Sequence, residues 1–463
     1  MVDETQMRAT VARMAAELRE NILPFWLAHT VDRERGGFYG LITNDLRVDA
    51  KAPRGALLTS RILWTFAAAY RWESDPAYLE MANWAYEDLM SRFWDTKHGG
   101  FLWSAGADGA PLQTHKQVYG QAFAIYALAE YFAASGVEAA LERAQTMFGL
   151  LETHTHDPVH GGYHEALSRE WGPRDEMSLN PGEPSEPKSM NTSIHVMEAL
   201  TNLVRVWPDP LVVARLAEMV SIMMDQIIDP ETHHTVLFFA EDWAPRSENV
   251  SYGHDIETSW LLVEAAEAVT AAAAATATGE GLGEDAGPSI AGRSARRATT
   301  TTAEPGWSLA VPGNEGSLLE RAKGIAVRMA QAVYEEGVDP DGAVLYESGP
   351  HGWEDDTKQW WPQAEGAVGF LNAYQLSGES HFLKAAYRCW DFIDTYLVNR
   401  RYGGWIRYVA RDHASAPDDS TDDDDAKVSF WKCPYHNGRA CLEMASRLRR
   451  MQSADGESRI RGS

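Results

Sequence analysis

Apolar positions along the chain fall into twelve helical stretches of two kinds, in alternation. One kind carries a single apolar stripe at helical spacing, over 5–22, 76–93, 138–151, 210–228, 318–335 and 380–397. The other is apolar on nearly every side, over 57–72, 118–132, 191–207, 254–269, 360–376 and 436–448. A helix with one stripe lies on a surface, whereas a helix without a polar face is buried. Six outer and six inner helices therefore alternate. Their simplest closed packing is a double ring, an all-α (α/α)6 barrel, which predicts one domain over 1–463.

The links from each outer helix to the next inner one repeat a motif. It reads RGGFYGLITND at 35–45, HGGFLWSAGADG at 98–109, HGGYHEALSRE at 160–170 and YGGWIRYVARD at 402–412. Weaker copies are HTVLFFAEDWAP at 234–245 and DGAVLYESGPHG at 341–352. Turn residues flank alternating or aromatic β-formers, which predicts a short β-hairpin in each link. All hairpins then lie at one end of the barrel with the six inner-helix N-termini. Polar residues on those first turns converge on one central pocket. Two stretches break the pattern. Residues 271–317, rich in Ala, Gly, Thr and Ser, read as a disordered low-complexity insertion. Residues 413–427 form an acidic loop, either simply solvated or a Ca²⁺ site without EF-hand spacing.

Charge narrows the partners. Against 67 Asp and Glu stand 41 Lys and Arg, a net charge of −26. No cationic excess exists to neutralise phosphates, so nucleic acid is excluded as a partner, and an anionic membrane surface is disfavoured. The acidity serves solubility or marks a salt-adapted host, Lys being scarce beside Arg. Three cysteines, Cys389, Cys433 and Cys441, provide no disulfide framework. The first twenty residues form an amphipathic, acid-bearing helix, not a signal peptide. No uncharged apolar run of about 18 residues predicts a transmembrane helix. The expectation is a cytoplasmic protein, a monomer or weak homodimer. The 17 Trp suit a sugar-binding cleft as well as a core.

The first turns of the inner helices supply the candidate chemistry. Arg61 lies within an apolar run, where a charge is costly unless paired; a structural salt bridge and a ligand clamp both account for it. The second inner helix brings Lys116, Tyr119 and Gln121, and the third Asn191 and His195. The fourth brings His254, Asp255 and Glu257, and the fifth Trp360, Trp361, Gln363 and Glu365. The sixth and its approach bring Trp431, Lys432, Tyr435, His436, Asn437 and Arg439. His254 and Glu257, three apart, share a helix face. A carboxylate there would orient the imidazole and raise its pKa. A helix N-terminus lowers the pKa of His436 and favours a neutral base. Single histidines at such places are often core residues, but His195, His254 and His436 together point to acid/base chemistry. No zinc-protease spacing appears, so no metal is expected. Glu257 and Glu365 facing one cleft also fit a glycosidase pair.

Several long blocks resemble the N-acylglucosamine 2-epimerase superfamily and, within it, the cellobiose 2-epimerases. They are APRGALLTSRILWTFAAAYR (52–71), KQVYGQAFAIYALAEY (116–131), SMNTSIHVMEAL (189–200), SYGHDIETSWLLVEA (251–265), WWPQAEGAVGFLNAYQ (360–375) and FWKCPYHNGRACLE (430–443). The resemblance spans nearly the whole chain and implies the same (α/α)6 fold. It implies reversible C2 epimerisation at the reducing end of a β-1,4-linked disaccharide, cellobiose or lactose, without cofactor. His254 and His436 would exchange the C2 proton through a cis-enediolate, and His195 would assist ring opening. Arg61 would stabilise the enediolate oxygen, and Glu257 would tune the histidine pair. Trp361 and Trp431 would stack on sugar rings, with Tyr119, Asn191 and Glu365 binding substrate. Cys433 stands where relatives carry a small Gly. The alternatives are an aldose–ketose isomerase acting on mannose and, less fitting, a glycoside hydrolase.

Overall fold

The computed structural model describes residues 4–278, 317–414 and 425–461. Among these, the inner helices are Ala56–Glu73, Val118–Ser135, Met190–Val206, Tyr252–Thr278, Trp360–Ser377 and Tyr435–Arg461. Each packs on the next, and the sixth packs on the first, so the ring closes. The outer helices lie against them in sequence, giving the (α/α)6 barrel. The first, second, third and fifth inner helices pass to the next outer helix in two or three residues. Asp75 and Asp209 cap the next helix by accepting from Ala77 N and Leu211 N, each followed by a proline in the first turn.

The fourth inner helix runs past its expected end, because the alanines at 271–275 continue it to Thr278. By length and apolarity this helix passes as a membrane span. Its N-terminal half, however, is buried between the third and fifth inner helices. The rest of the low-complexity stretch, and residues 415–424 of the acidic loop, lie outside the described residues.

The links match the expected hairpins in part. Each closes on itself through an isolated bridge: Val31 to Phe38, Trp94 to Phe101, His156 to Tyr163, Ile228 to Thr235, Val338 to Val344 and Val398 to Trp405. The second and fifth links add a true hairpin, Ser104–Ala105 with Pro111–Gln113 and Glu347–Gly349 with Gly352–Asp355. The strand before each inner helix then pairs with the following link. Arg54–Gly55 meets Ser104–Ala105, Lys116–Gln117 meets Ala166–Leu167, and Lys188–Ser189 meets Phe238–Phe239. Val250–Ser251 meets Glu347 and Ser348, and Lys358–Gln359 meets Tyr408–Val409. Ile42 pairs with Val428, joining first link to last. The strands thus lace neighbouring repeats and hold the inner-helix N-termini in a circle.

A shared ionic lock fixes the turns. Asp95 Oδ1 accepts from Lys97 N and His98 N, as Asp157 Oδ1 does from Val159 N and His160 N. The second oxygen takes a buried cation from the strand leading to the inner helix. Lys116 lies 3.1 Å from Asp95, Lys188 2.7 Å from Asp157 and Lys358 2.9 Å from Asp339, and Arg54 pairs with Asp32. Lys116 therefore belongs to the scaffold, not to the pocket. Four turns end in a glycine pair at positive φ, Gly36–Gly37, Gly99–Gly100, Gly161–Gly162 and Gly403–Gly404. A Cβ at Gly37 would fall 2.2 Å from the Asp88 carboxylate, so the turn has no room for a side chain there.

Candidate active site

The inner-helix first turns do converge, and a buried guanidinium stands at the centre. Arg439 donates to Glu198, Glu257 and Glu365, the last at 2.8 Å. Each acid comes from a different inner helix. Around this hub, His195 Nδ1 lies 2.9 Å from Glu198 and His436 Nδ1 lies 2.7 Å from Glu365. Tyr435 also donates to Glu198, and Trp260 Nε1 donates to Glu365 at 3.1 Å. All four charged hub residues are at most 4% exposed. At that burial an unpaired carboxylate would not stay ionised, so the three acids depend on Arg439.

The histidines are held in different ways. Burial opposes charge on Glu198, but Arg439 and then His195 outweigh it and hold its carboxyl down at about 2. An ionised carboxylate only accepts, so Nδ1 of His195 carries a proton and Nε2 is free. Glu365 is itself raised by burial, yet its bond to Arg439 keeps it an acceptor, which leaves Nε2 of His436 free as well. His254 has no carboxylate: its Nδ1 lies 2.8 Å from Ser251 Oγ. The expected contact with Glu257 is absent, because Glu257 turns to Arg439 and lies 4.0 Å from His436 Nδ1. Accordingly, the pKa of His254 is lowered to about 3, by burial and then by His195, and not raised. That of His436 falls too, through burial first and then Arg61 and Arg439. Both imidazoles are neutral bases near pH 7.

Trp361 sits between the two, 4.7 Å from the His254 ring and 5.6 Å from that of His436. Arg61 is 2% exposed and, among the described residues, has no carboxylate at ion-pair distance, which removes the salt-bridge reading. It donates to Tyr119 Oη at 2.6 Å, approaches Cys433 Sγ at 3.9 Å and lies 4.2 Å over the Phe123 ring. Its Nε has no partner. A guanidinium in this setting is a preformed site for negative charge. Tyr119 packs edge-on against His195 at 4.9 Å and against half-buried Trp431 at 5.8 Å.

A cavity of about 860 Å³ opens on His254. Asn191, Ser251, Glu165, Arg246, Tyr346 and Glu347 are among the residues that line it. Buried Asn191 Oδ1 has no partner in the protein. The volume is ample for a disaccharide. Of the candidates, Asn191 and His254 line the cavity; His195, His436, Arg61, Tyr119, Trp361 and Trp431 are not among its lining residues, and Glu365 is the partner of His436 within the hub. Gln121 and Gln363 are structural, each clasping the backbone of its link at Phe101 and Val344. Ligand atoms of Glu257, Glu365 and His436 lie within 4.8 Å of one another, a possible cation set, but the Arg439 guanidinium already binds both acids. Sequence reasoning missed Glu198 and gave Arg439 no role. Glu198 stands three residues after His195, the same spacing that singled out Glu257.

The model of the N-acylglucosamine 2-epimerase (GlcNAc 2-epimerase) family matches residues 36–287 and 310–425, leaving out part of the low-complexity stretch. A cellobiose 2-epimerase of Bacteroides fragilis is 38% identical over 93% of this chain and 97% of its own. The solved cellobiose 2-epimerase of Spirochaeta thermophila is 37% identical, covers 97% of this chain and 98% of its own, and superposes with a TM-score of 0.78. That of Bacillus thermoamylovorans is 32% identical, covers 95% and 100%, and gives a TM-score of 0.80.

Proposed function

The chain belongs to the N-acylglucosamine 2-epimerase family and is a carbohydrate epimerase acting at C2 of disaccharides; from that premise we propose a two-histidine mechanism on β-1,4-linked substrates, cellobiose and lactose. His195, with Nε2 free, assists opening of the reducing-end ring. The C1 aldehyde then acidifies the C2 proton. One of His254 and His436 takes that proton at Nε2, and the C–H electron pair moves into a C1–C2 double bond, giving a cis-enediolate. Arg61 neutralises the charge arriving on the oxygen. Rotation about C2–C3 presents the other face. The second histidine, which takes a proton from solvent at Nε2, delivers it to C2 from the other face as the carbonyl re-forms, and the first histidine returns the abstracted proton to solvent. Trp361 and Trp431 stack on sugar rings, Tyr119 and Asn191 bind hydroxyls, and Glu257 and Glu365 act through Arg439 and His436.

The observation that carries this reading is the placement of two neutral imidazoles, His254 and His436, against one Trp361 ring, with His254 at the cavity wall and the buried guanidinium of Arg61 without a carboxylate partner among the described residues. The deciding experiment is incubation with cellobiose in D₂O, followed by NMR. Glucosyl-mannose with deuterium at C2 is expected. Free glucose would make the protein a hydrolase, and a ketose product an isomerase. Arg61→Ala is expected to lower turnover by about a hundredfold or more without unfolding the protein. An unchanged rate would assign Arg61 to packing alone.

A further inference from the structure

The fourth link, which delivers His254, departs from its siblings at three equivalent positions. The second glycine of the turn, Gly37, Gly100, Gly162 or Gly404 in four other links and Ala343 in the fifth, is His234. The cation of the preceding strand, Arg54, Lys116, Lys188 or Lys358 in four other repeats, is Val250. The glutamine that clasps the second and fifth links, Gln121 and Gln363, is Asp255, where the first and third inner helices carry Thr59 and Ser193. Among the described residues, no ion pair reaches Asp229, the turn acid here.

The three changes fit together. Gln121 both accepts from Phe101 N and donates to Phe101 O, at 2.7 and 2.8 Å. Asp255 accepts from Thr235 N and Thr235 Oγ1, at 2.8 and 2.7 Å, but as a carboxylate it has nothing to donate. Its second oxygen instead meets His234 Nδ1 at 2.7 Å. His234 Nε2 faces Glu336 at 3.3 Å, at the end of the fifth outer helix. An imidazole between two carboxylates satisfies both only when doubly protonated. Tyr252 stacks edge-on at 5.7 Å, and His233 and Asp229 complete the charged surroundings on its own turn. Burial opposes the charge, but Asp255 and then Glu336 outweigh it, and the pKa is raised.

We propose that the imidazolium of His234 is a positioning residue for His254: it ties the fourth link to Asp255, the neighbour of His254, and loss of its Nε2 proton releases Glu336, turns the ion pair with Asp255 into a weaker neutral hydrogen bond, and lowers turnover. The proposal rests on His254 acting as a proton-transfer base. The sign follows from the raised pKa. The ionic part of the tie is complete below the ordinary histidine value and is lost as pH rises through the folded one.

The test is the pH profile of kcat and KM on cellobiose for wild type, Glu336→Gln and His234→Gln. Glu336 is exposed at its carboxylate, so its replacement is expected to leave the fold intact. Wild-type kcat is expected to fall on the alkaline side with KM nearly constant. Glu336→Gln should move that fall about half a pH unit toward acid, since one stabilising charge is gone. His234→Gln, which keeps a neutral donor toward Asp255, should abolish it. An alkaline fall that superimposes in wild type and Glu336→Gln would overturn the proposal. Wild type without epimerase activity would overturn the catalytic reading instead.

Discussion

Replacing His436 with asparagine is expected to cut epimerisation by about a thousandfold, within the range that a positioned acid/base group contributes. His254→Asn is expected to do the same. Asparagine keeps the shape and one donor but cannot take a proton near pH 7. The fold should survive, because the hub retains Glu365 on Arg439 and Trp260. Exchange of the C2 proton in D₂O separates the two roles. With cellobiose, the variant lacking the base for the glucose-side face should neither exchange nor epimerise. The variant lacking the other histidine should still wash deuterium into unreacted cellobiose without inverting it. Wild-type turnover in either variant would rule out the two-base scheme.

Arg439→Met is expected to be the most damaging single change to stability. Methionine fills the volume but strips the cation from three buried acids, Glu198, Glu257 and Glu365. Breaking a buried ion cluster from one side costs about 3–5 kcal/mol. Urea unfolding at pH 8 should show that loss. It should shrink toward pH 5, where the stranded carboxyls take up protons. The wild type behaves oppositely at Glu198. Its carboxyl is held at about 2, so its contribution is present above the unfolded carboxyl value and lost only in strong acid. Equal stability of wild type and variant at pH 8 would show that the hub is not an electrostatic keystone.

Much of the architecture was legible because one-sided and all-round apolarity are distinct signals, and six repetitions multiplied each. The links were legible as strands, and the second and fifth as hairpins, but the pairing between repeats was not. Alternation marks a strand without naming its partner, and here Lys188–Ser189 finds Phe238–Phe239 of the next link. At the site, helix starts marked the right neighbourhood. Spacing alone misassigned the acids: Glu257 shares a face with His254 yet bonds to Arg439, a residue 182 positions away. Both Glu198 and Glu257 reach Arg439, and only Glu198 also meets the histidine three residues before it; that difference is set by groups arriving from other helices, which are invisible along a single helix. The extended fourth inner helix shows the reverse case, local alanine propensity prevailing over a reading of low complexity.

The bridge between Ile42 and Val428 gives this repeat array no end. Linear arrays of helix pairs melt from their termini, and their stability sums over neighbours. Here every repeat has two neighbours, so there is no outermost unit from which unravelling can begin. Amide hydrogens on the six inner helices should therefore share one opening free energy, exchanging together in a single cooperative event and not in a gradient from either terminus. The hub at the barrel centre is then no softer than the rest of the barrel.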